Sequence, residues 1–222
     1  MCSSDLTSAS SRGATRNCTC QPSGSTFAAI AGVENAGSLM RVVGGRFRGR
    51  NLAAPKSQAI RPTQDRLRES LFNILMHAYG NPIADARVLD LFAGTGALGI
   101  EAMSRGAAFT LFVDDGAEAR ALLRENVQTL GLGGSTKIYR RDATKLGPAE
   151  LGQFSLVFLD PPYGKALAEK ALASAREGGW LAPGALVVVE EETSAAFNPP
   201  DGFEELERRD YDDTQFTFLR VK

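Results

Sequence analysis

The chain has 222 residues, with 25 Lys+Arg against 26 Asp+Glu for a formal charge of −1; 43% of residues are hydrophobic, 8% aromatic and 23% charged. That is the make-up of an ordinary globular protein of one sizeable domain plus an appendage, and it excludes fibrous, wholly disordered and membrane chains. No run reaches the ~18 uninterrupted apolar residues a membrane span requires. The cysteines Cys2, Cys18 and Cys20 all fall in the first twenty residues. A disulfide framework would spread through the domain it staples, and Cys18-Thr19-Cys20 lacks the spacing and partner pair of a zinc knuckle.

The near-zero charge hides two opposed blocks. Segment 40–68 carries +7, from Arg41, Arg46, Arg48, Arg50, Lys56, Arg61, Arg66 and Arg68 against Asp65, whereas segment 190–213 carries −8. A basic block of this density suits either a polyanionic partner or a solvated face. The acidic block reads as solvated surface.

Residues 1–39 hold eight Ser, four Thr and six Ala. So little apolar surface cannot offset the entropy of ordering, which predicts a disordered tail or leader. Met40 makes a natural start for the folded unit. A transit peptide competes with this reading, but the segment has only Arg12 and Arg16 as cations and no amphipathic stripe. Residues 40–62 then read as a basic hairpin extension, glycine-broken over Arg41–Arg50, and 63–222 as the main domain.

Pro62 and Thr63 precede a helical pattern in which Leu67, Leu71, Ile74 and Leu75 recur at three- and four-residue spacings. Strands and helices alternate from there. Strands are expected at Arg87–Phe92, Phe109–Val113, Lys137–Arg140, Ser155–Leu159 and Ala185–Val189. Helices are expected at Ala97–Arg105, Ala117–Leu130 and Ala166–Glu177. The chain closes with two strands, Phe203–Arg209 and Gln215–Val221, joined by an acidic turn. Repeated βα units with continuous apolar strands imply a parallel sheet covered on both faces, and the closing hairpin an antiparallel edge. The fold class is therefore α/β, Rossmann-like.

Two loops carry chemistry. Asp90-Leu91-Phe92-Ala93-Gly94-Thr95-Gly96-Ala97-Leu98-Gly99 places a G-x-G-x-x-G at a strand-to-helix turn, where the backbone can approach a nucleotide closely. Asp114, with Asp115 as its alternate, ends the second strand twenty positions after Gly94, where a carboxylate can take both hydroxyls of a ribose. Asp142 follows strand three, within reach of an adenine amine. Asp90 would be repelled by a pyrophosphate but favoured by an ammonium group, which points to S-adenosylmethionine over NAD.

The second loop is Asp160-Pro161-Pro162-Tyr163, directly after strand four. Ligands of an open parallel sheet bind outside the carboxyl ends of its strands. Two prolines remove N–H donors and leave carbonyl acceptors. Asp160 and the Pro161 carbonyl can together accept both protons of an exocyclic amine, and Tyr163 offers a face for a base to stack on.

Asp90–Gly96 with Asp160–Tyr163 resembles the amino-methyltransferases of the seven-stranded Rossmann-like fold. Met40–Arg50 and Arg61–Asn73 resemble the N-terminal signature of the RsmD family, whose members methylate the guanine N2 amine of one nucleotide in small-subunit ribosomal RNA. The resemblance spans about 40–222, with Gly178–Leu181 also fitting; where Asp114 stands the family often has Glu. It implies a class I methyltransferase of seven strands. Asp90, Phe92, Ala93, Gly94 and Gly96 would line the methionine end of S-adenosylmethionine, with Asp114 at the ribose and Asp142 at the adenine. Asp160, Pro161, Pro162 and Tyr163 would hold the target base. Arg41, Arg46, Arg48, Arg50, Arg61, Arg66 and Arg68 would grip RNA phosphates. Phe47 stacks on a base or packs beneath the hairpin. His77 and Trp180 are expected to be structural.

The expected partner is ribosomal RNA in the small subunit or its assembly intermediate, met by a cytoplasmic monomer without metal or membrane. Three other readings compete. An N6-adenine methyltransferase on DNA or RNA would use the same Asp-Pro-Pro-Tyr. An NAD-dependent oxidoreductase leaves Asp90 and Asp160–Tyr163 without a role, and an RNA-binding module without catalysis would need only 40–68.

Overall fold

In the computed structural model, residues 40–55, 62–162 and 166–222 are described. The tail expected over 1–39, Arg61 and Tyr163 lie outside them. The main elements are α1 (Pro62–Ala78), β1 (Arg87–Leu91), α2 (Ala97–Ser104), β2 (Phe109–Val113), α3 (Ala117–Thr129), β3 (Thr136–Tyr139), β4 (Phe154–Leu159), α4 (Leu167–Glu177), β5 (Leu181–Glu192), β6 (Phe203–Tyr211) and β7 (Thr214–Val221).

The strands form one seven-stranded sheet in the order β3-β2-β1-β4-β5-β7-β6. The first five run parallel and β7 enters antiparallel between β5 and β6. β1, β2 and β4 each carry four consecutive buried residues, as strands covered on both faces must. One apolar layer joins Leu71, Phe72 and Leu75 of α1, Ile100 and Met103 of α2 and Leu123 of α3 to Val88, Phe112 and Phe158 of the sheet. The other joins Ala168, Ala171 and Leu172 of α4 and Trp180 to Leu89, Val157 and Val187. Trp180 is fully buried, and its Nε1–H donates to the Gly147 carbonyl at 2.7 Å. His77 is exposed near the end of α1.

Two elements differ from expectation. The basic stretch is not a two-stranded hairpin but a closed loop with a single bridge, Arg41 to Asn51, around a 3-10 turn at Gly45–Phe47. Backbone bonds from Val42 N–H to the Arg50 carbonyl and from Leu52 N–H to the Met40 carbonyl close it. Gly45 has φ +70, and a Cβ there would lie 2.0 Å from the Ser104 carbonyl, so the turn is pressed onto the end of α2. Met40, Val42 and Leu52 are buried in the domain's own core. Strand β5 is longer than the expected Ala185–Val189; it begins at Leu181, and Pro183 and Gly184 are accommodated where the register slips between Phe154 and Leu156 of β4.

The chain passes from β1 outward through β2 and β3, then returns to β4 on β1's other side. Strand order reverses there, and at such a switch point the connecting loops diverge and open a crevice.

Candidate active site

A cleft of about 640 Å³ opens at this switch point, within the size range of cofactor sites. Its walls include Asp90, Phe92, Ala93, Gly94 and Thr95 after β1, Asp114 and Asp115 after β2, and Asp160, Pro161 and Pro162 after β4. The register explains the convergence: Leu91 pairs with Leu159, and Leu159 with Val189, so Phe92, Asp160 and Glu190 stand at one level of three adjacent strands.

In the half of the cleft over β1 and β2, carboxylates are held by backbone N–H groups. Asp90 is buried, and its Oδ2 accepts from Gly99 N–H at 2.9 Å. Burial pushes its pKa well above the carboxylate range against the pull of that bond, and the charges of Asp160 and Asp114 add to the rise. Asp114 accepts from Gly94 N–H at 2.8 Å through Oδ2 and from Gly116 N–H at 2.7 Å through Oδ1. Gly94 has φ +55, and only the Phe92 carbonyl, at 4.0 Å, neighbours its missing Cβ. A ligand can therefore approach this backbone closely.

Gly96 and Gly99 serve packing. A Cβ on Gly96 would meet Leu123 Cδ1 at 2.3 Å, and one on Gly99 would meet Phe112 Cε1 at 2.4 Å and Asp90 Oδ2 at 2.8 Å. Gly96 is buried beneath the loop and is not part of the cleft wall. Asp142 also stands off that wall. It is exposed and caps the 3-10 turn Ala143–Lys145, accepting from Thr144 Oγ1 and N–H, which hold its pKa below the usual range.

The half over β4 and β5 is different. Asp160 is exposed at the mouth of the cleft, and the protein crowded around it still pushes its pKa up to about 6. Glu190, at the same level on β5, also lines the cleft. Burial and the charge of Asp160 push it well above the carboxylate range, opposed by Arg68. Among the described residues, neither carboxylate receives a hydrogen bond.

Of the arginines expected at RNA, Arg41, Arg46, Arg48, Arg50 and Arg66 are exposed. Arg41 pairs with Asp65 at 3.2 Å, and Arg46 lies 4.6 Å over the ring of Phe47, which packs against the core. Arg68 does not share the exposure of the others. It is 5% exposed, donates to the Arg41 carbonyl and to Asp65, and lines the cleft.

Sequence reasoning missed two features. Glu190 follows the strand expected at Ala185–Val189 as Asp114 and Asp160 follow theirs, a parallel that could have singled it out, but it opens the acidic block and reads there as surface; in the structure β5 continues through it to Glu192. Glu101 and Asn126 look like ordinary helix residues. In the structure Glu101 accepts from Val43 N–H at 2.8 Å and Arg105 Nε at 2.7 Å. Asn126 accepts from Ala53 N–H at 2.6 Å and donates to the Ala53 and Thr95 carbonyls. Together they fasten the basic loop beside the glycine turn.

The family profile described as "Conserved hypothetical protein 95" matches residues 40–220. The chain is 42% identical over 154 residues to "Ribosomal RNA small subunit methyltransferase D" of Escherichia coli K12, covering 69% of this chain and 75% of that protein. It is 35% identical over 178 residues to the protein of the same name from Haemophilus influenzae, covering 79% and 90%. Among solved structures, a hypothetical protein from Thermus thermophilus superposes with a TM-score of 0.64 at 32% identity, covering 82% of this chain and 100% of that one.

Proposed function

The chain belongs to the conserved hypothetical protein 95, or RsmD, family, and from that premise we propose that it methylates the exocyclic N2 amine of a guanine in small-subunit ribosomal RNA. The observation that carries this reading is the position of Asp160 and Pro161 at the end of β4, facing across one cleft the Asp90–Gly94–Asp114 cradle at the ends of β1 and β2.

That cradle fits S-adenosylmethionine. Asp90 offers a buried carboxylate for an ammonium group, Asp114 keeps acceptor capacity for ribose hydroxyls, and Gly94 leaves its side open. S-adenosylmethionine, when bound, supplies a sulfonium methyl that is already a good electrophile. What the chain must add is chiefly orientation. Asp160 accepts one amine proton and the Pro161 carbonyl the other, which draws the nitrogen lone pair out of conjugation with the ring. With the cofactor bound, the amine nitrogen would form the new N–C bond as the sulfur–methyl bond breaks and its electron pair stays on sulfur, and would give up a proton, for which Asp160, ionised at neutral pH, is the acceptor at hand. The base must leave its stack to reach this depth. Arg46, Arg48 and Arg50, exposed on the basic loop, hold RNA phosphates.

On this reading the substrate is the small subunit or its assembly intermediate, the enzyme acts as a cytoplasmic monomer, and the chemistry needs neither metal nor membrane. Tritiated S-adenosylmethionine, with small subunits from cells lacking this gene, tests it. Label should appear in N2-methylguanosine. Label in N6-methyladenosine, or none despite cofactor binding, overturns the substrate assignment.

A further inference from the structure

Asp90, Asp114, Asp160 and Glu190 line the cleft at or near the carboxyl ends of four strands, and the first three have a task in the proposed function. The fourth, Glu190, has none. Asp114 stands over β2, Asp90 and the glycine turn over β1, Asp160 over β4 and Glu190 over β5. A cofactor cradled by the first two delivers its methyl toward β4, and in-line displacement requires the amine to enter from the far side of that methyl. The target base therefore lies over β4 and β5, between Asp160 and Glu190.

We infer that Glu190 reads the Watson–Crick edge of the base, its carboxylate accepting from the N1–H that guanine has and adenine lacks. The inference rests on the guanine reading above and adds the residue that enforces it. Asp160 and the Pro161 carbonyl can grip any exocyclic amine, so they cannot tell a guanine from another purine. An acceptor beside them can, because guanine N1 is a donor next to the 2-amine, whereas the ring nitrogen beside adenine's amine is an acceptor. Two carboxylates side by side at the same level of β4 and β5 repel, and guanine brings a proton to each. Phe216, paired with Glu190 across β5 and β7, also lines the cleft and keeps this wall dry. Arg68, on the same wall, offsets the Glu190 charge.

2-Aminopurine keeps the 2-amine but has an acceptor at N1. Small subunits reconstituted with RNA carrying guanine or 2-aminopurine at the labelled position are compared as substrates under single-turnover conditions. The full-length chain should prefer guanine by about 10- to 100-fold, the span of one hydrogen bond to a charged group. Glu190→Gln can donate to the N1 of 2-aminopurine and should narrow that preference to within about threefold, with S-adenosylhomocysteine affinity, read by calorimetry, unchanged. The ratio is taken within each protein, so a loss of overall activity does not mimic the effect. Equal use of both bases by the unmodified protein overturns the inference without any variant, as does an unchanged ratio in Glu190→Gln. If the unmodified protein makes no N2-methylguanosine at all, the guanine reading itself has failed, which is a separate result.

Discussion

The two halves of the cleft satisfy their carboxylates in opposite ways. Over β1 and β2 the fold supplies the donors: Gly99 to Asp90, and Gly94 and Gly116 to Asp114. That half is built before any ligand arrives, and its acids position backbone as much as they bind. Over β4 and β5, burial raises the proton affinity of Asp160, burial and the Asp160 charge raise that of Glu190, and both acids wait for donors from outside. A site whose acceptors are completed only by its substrate ties binding energy to the right substrate, because a wrong one leaves them unpaired.

The sharpest way to break this contrast is to remove one acid from each half. Asp160→Ala should lower the single-turnover methylation rate about 1000-fold, within the range for a positioned acid–base group, and leave the Kd for S-adenosylmethionine nearly unchanged. Affinity lost in step with rate would place Asp160 in the cofactor half instead. Asp114→Ala should do the reverse. Losing both the ribose acceptor and the clamp on Gly94 and Gly116 should weaken the Kd by about 10- to 100-fold, the cost of one or two bonds to a charged group. At saturating cofactor, the rate should recover most of its value.

The two halves are also unequally legible in the sequence. The glycine turn and Asp114 announce themselves by local spacing, since the glycines must follow the strand directly and the acid must end the next one. Asp160 is equally plain beside two prolines. Asp142 reads as a ligand contact, and the sequence gives no sign that its Oδ1 also caps the turn at Ala143–Lys145, which an Asp two residues before a Thr can do. Arg68 reads as one more surface cation, and its burial depends on the Arg41 carbonyl and Asp65 reaching it, a meeting that composition does not encode. Glu190 is hidden by its neighbours. Glu190, Glu191 and Glu192 look alike in sequence, and only strand alternation and register send the first into the cleft. The order of the strands, with β7 between β5 and β6, is likewise beyond local pattern, although the closing hairpin itself is not.

A milder perturbation tests how rigid the cofactor half is. Gly99→Ala would press a methyl against Phe112, Thr110 and Asp90 at 2.4–2.8 Å, with two of the three contacts on ring or branched side chains that cannot swing away. Such overpacking costs about 2 kcal/mol, or about 6 °C in Tm for a domain of this size. Asp90 would also shift from the cleft, so cofactor affinity should fall along with Tm. A variant that keeps both would show that this half tolerates strain, contrary to its network of short bonds.

The smallest effect concerns the unsatisfied half, and its sign is diagnostic. Burial raises the Asp160 pKa from about 3.8 in the unfolded chain to about 6 in the fold. The folded state therefore binds the extra proton between those values. The stability this proton confers is fully present below pH 4 and is lost as pH rises through 6. Asp160→Asn removes the charge and should raise Tm at pH 7.5 but not at pH 4, by about 2 °C at most because the carboxylate faces water in the cleft. The methylation rate of the unmodified protein moves the other way, falling as pH drops below about 6 and Asp160 takes up its proton. Asp114→Asn should give no such neutral-pH gain, since its charge is met by two backbone N–H groups. A gain at neutral pH from Asp160→Asn but not from Asp114→Asn would show that the fold meets the charge of Asp114 and leaves that of Asp160 for the substrate to complete.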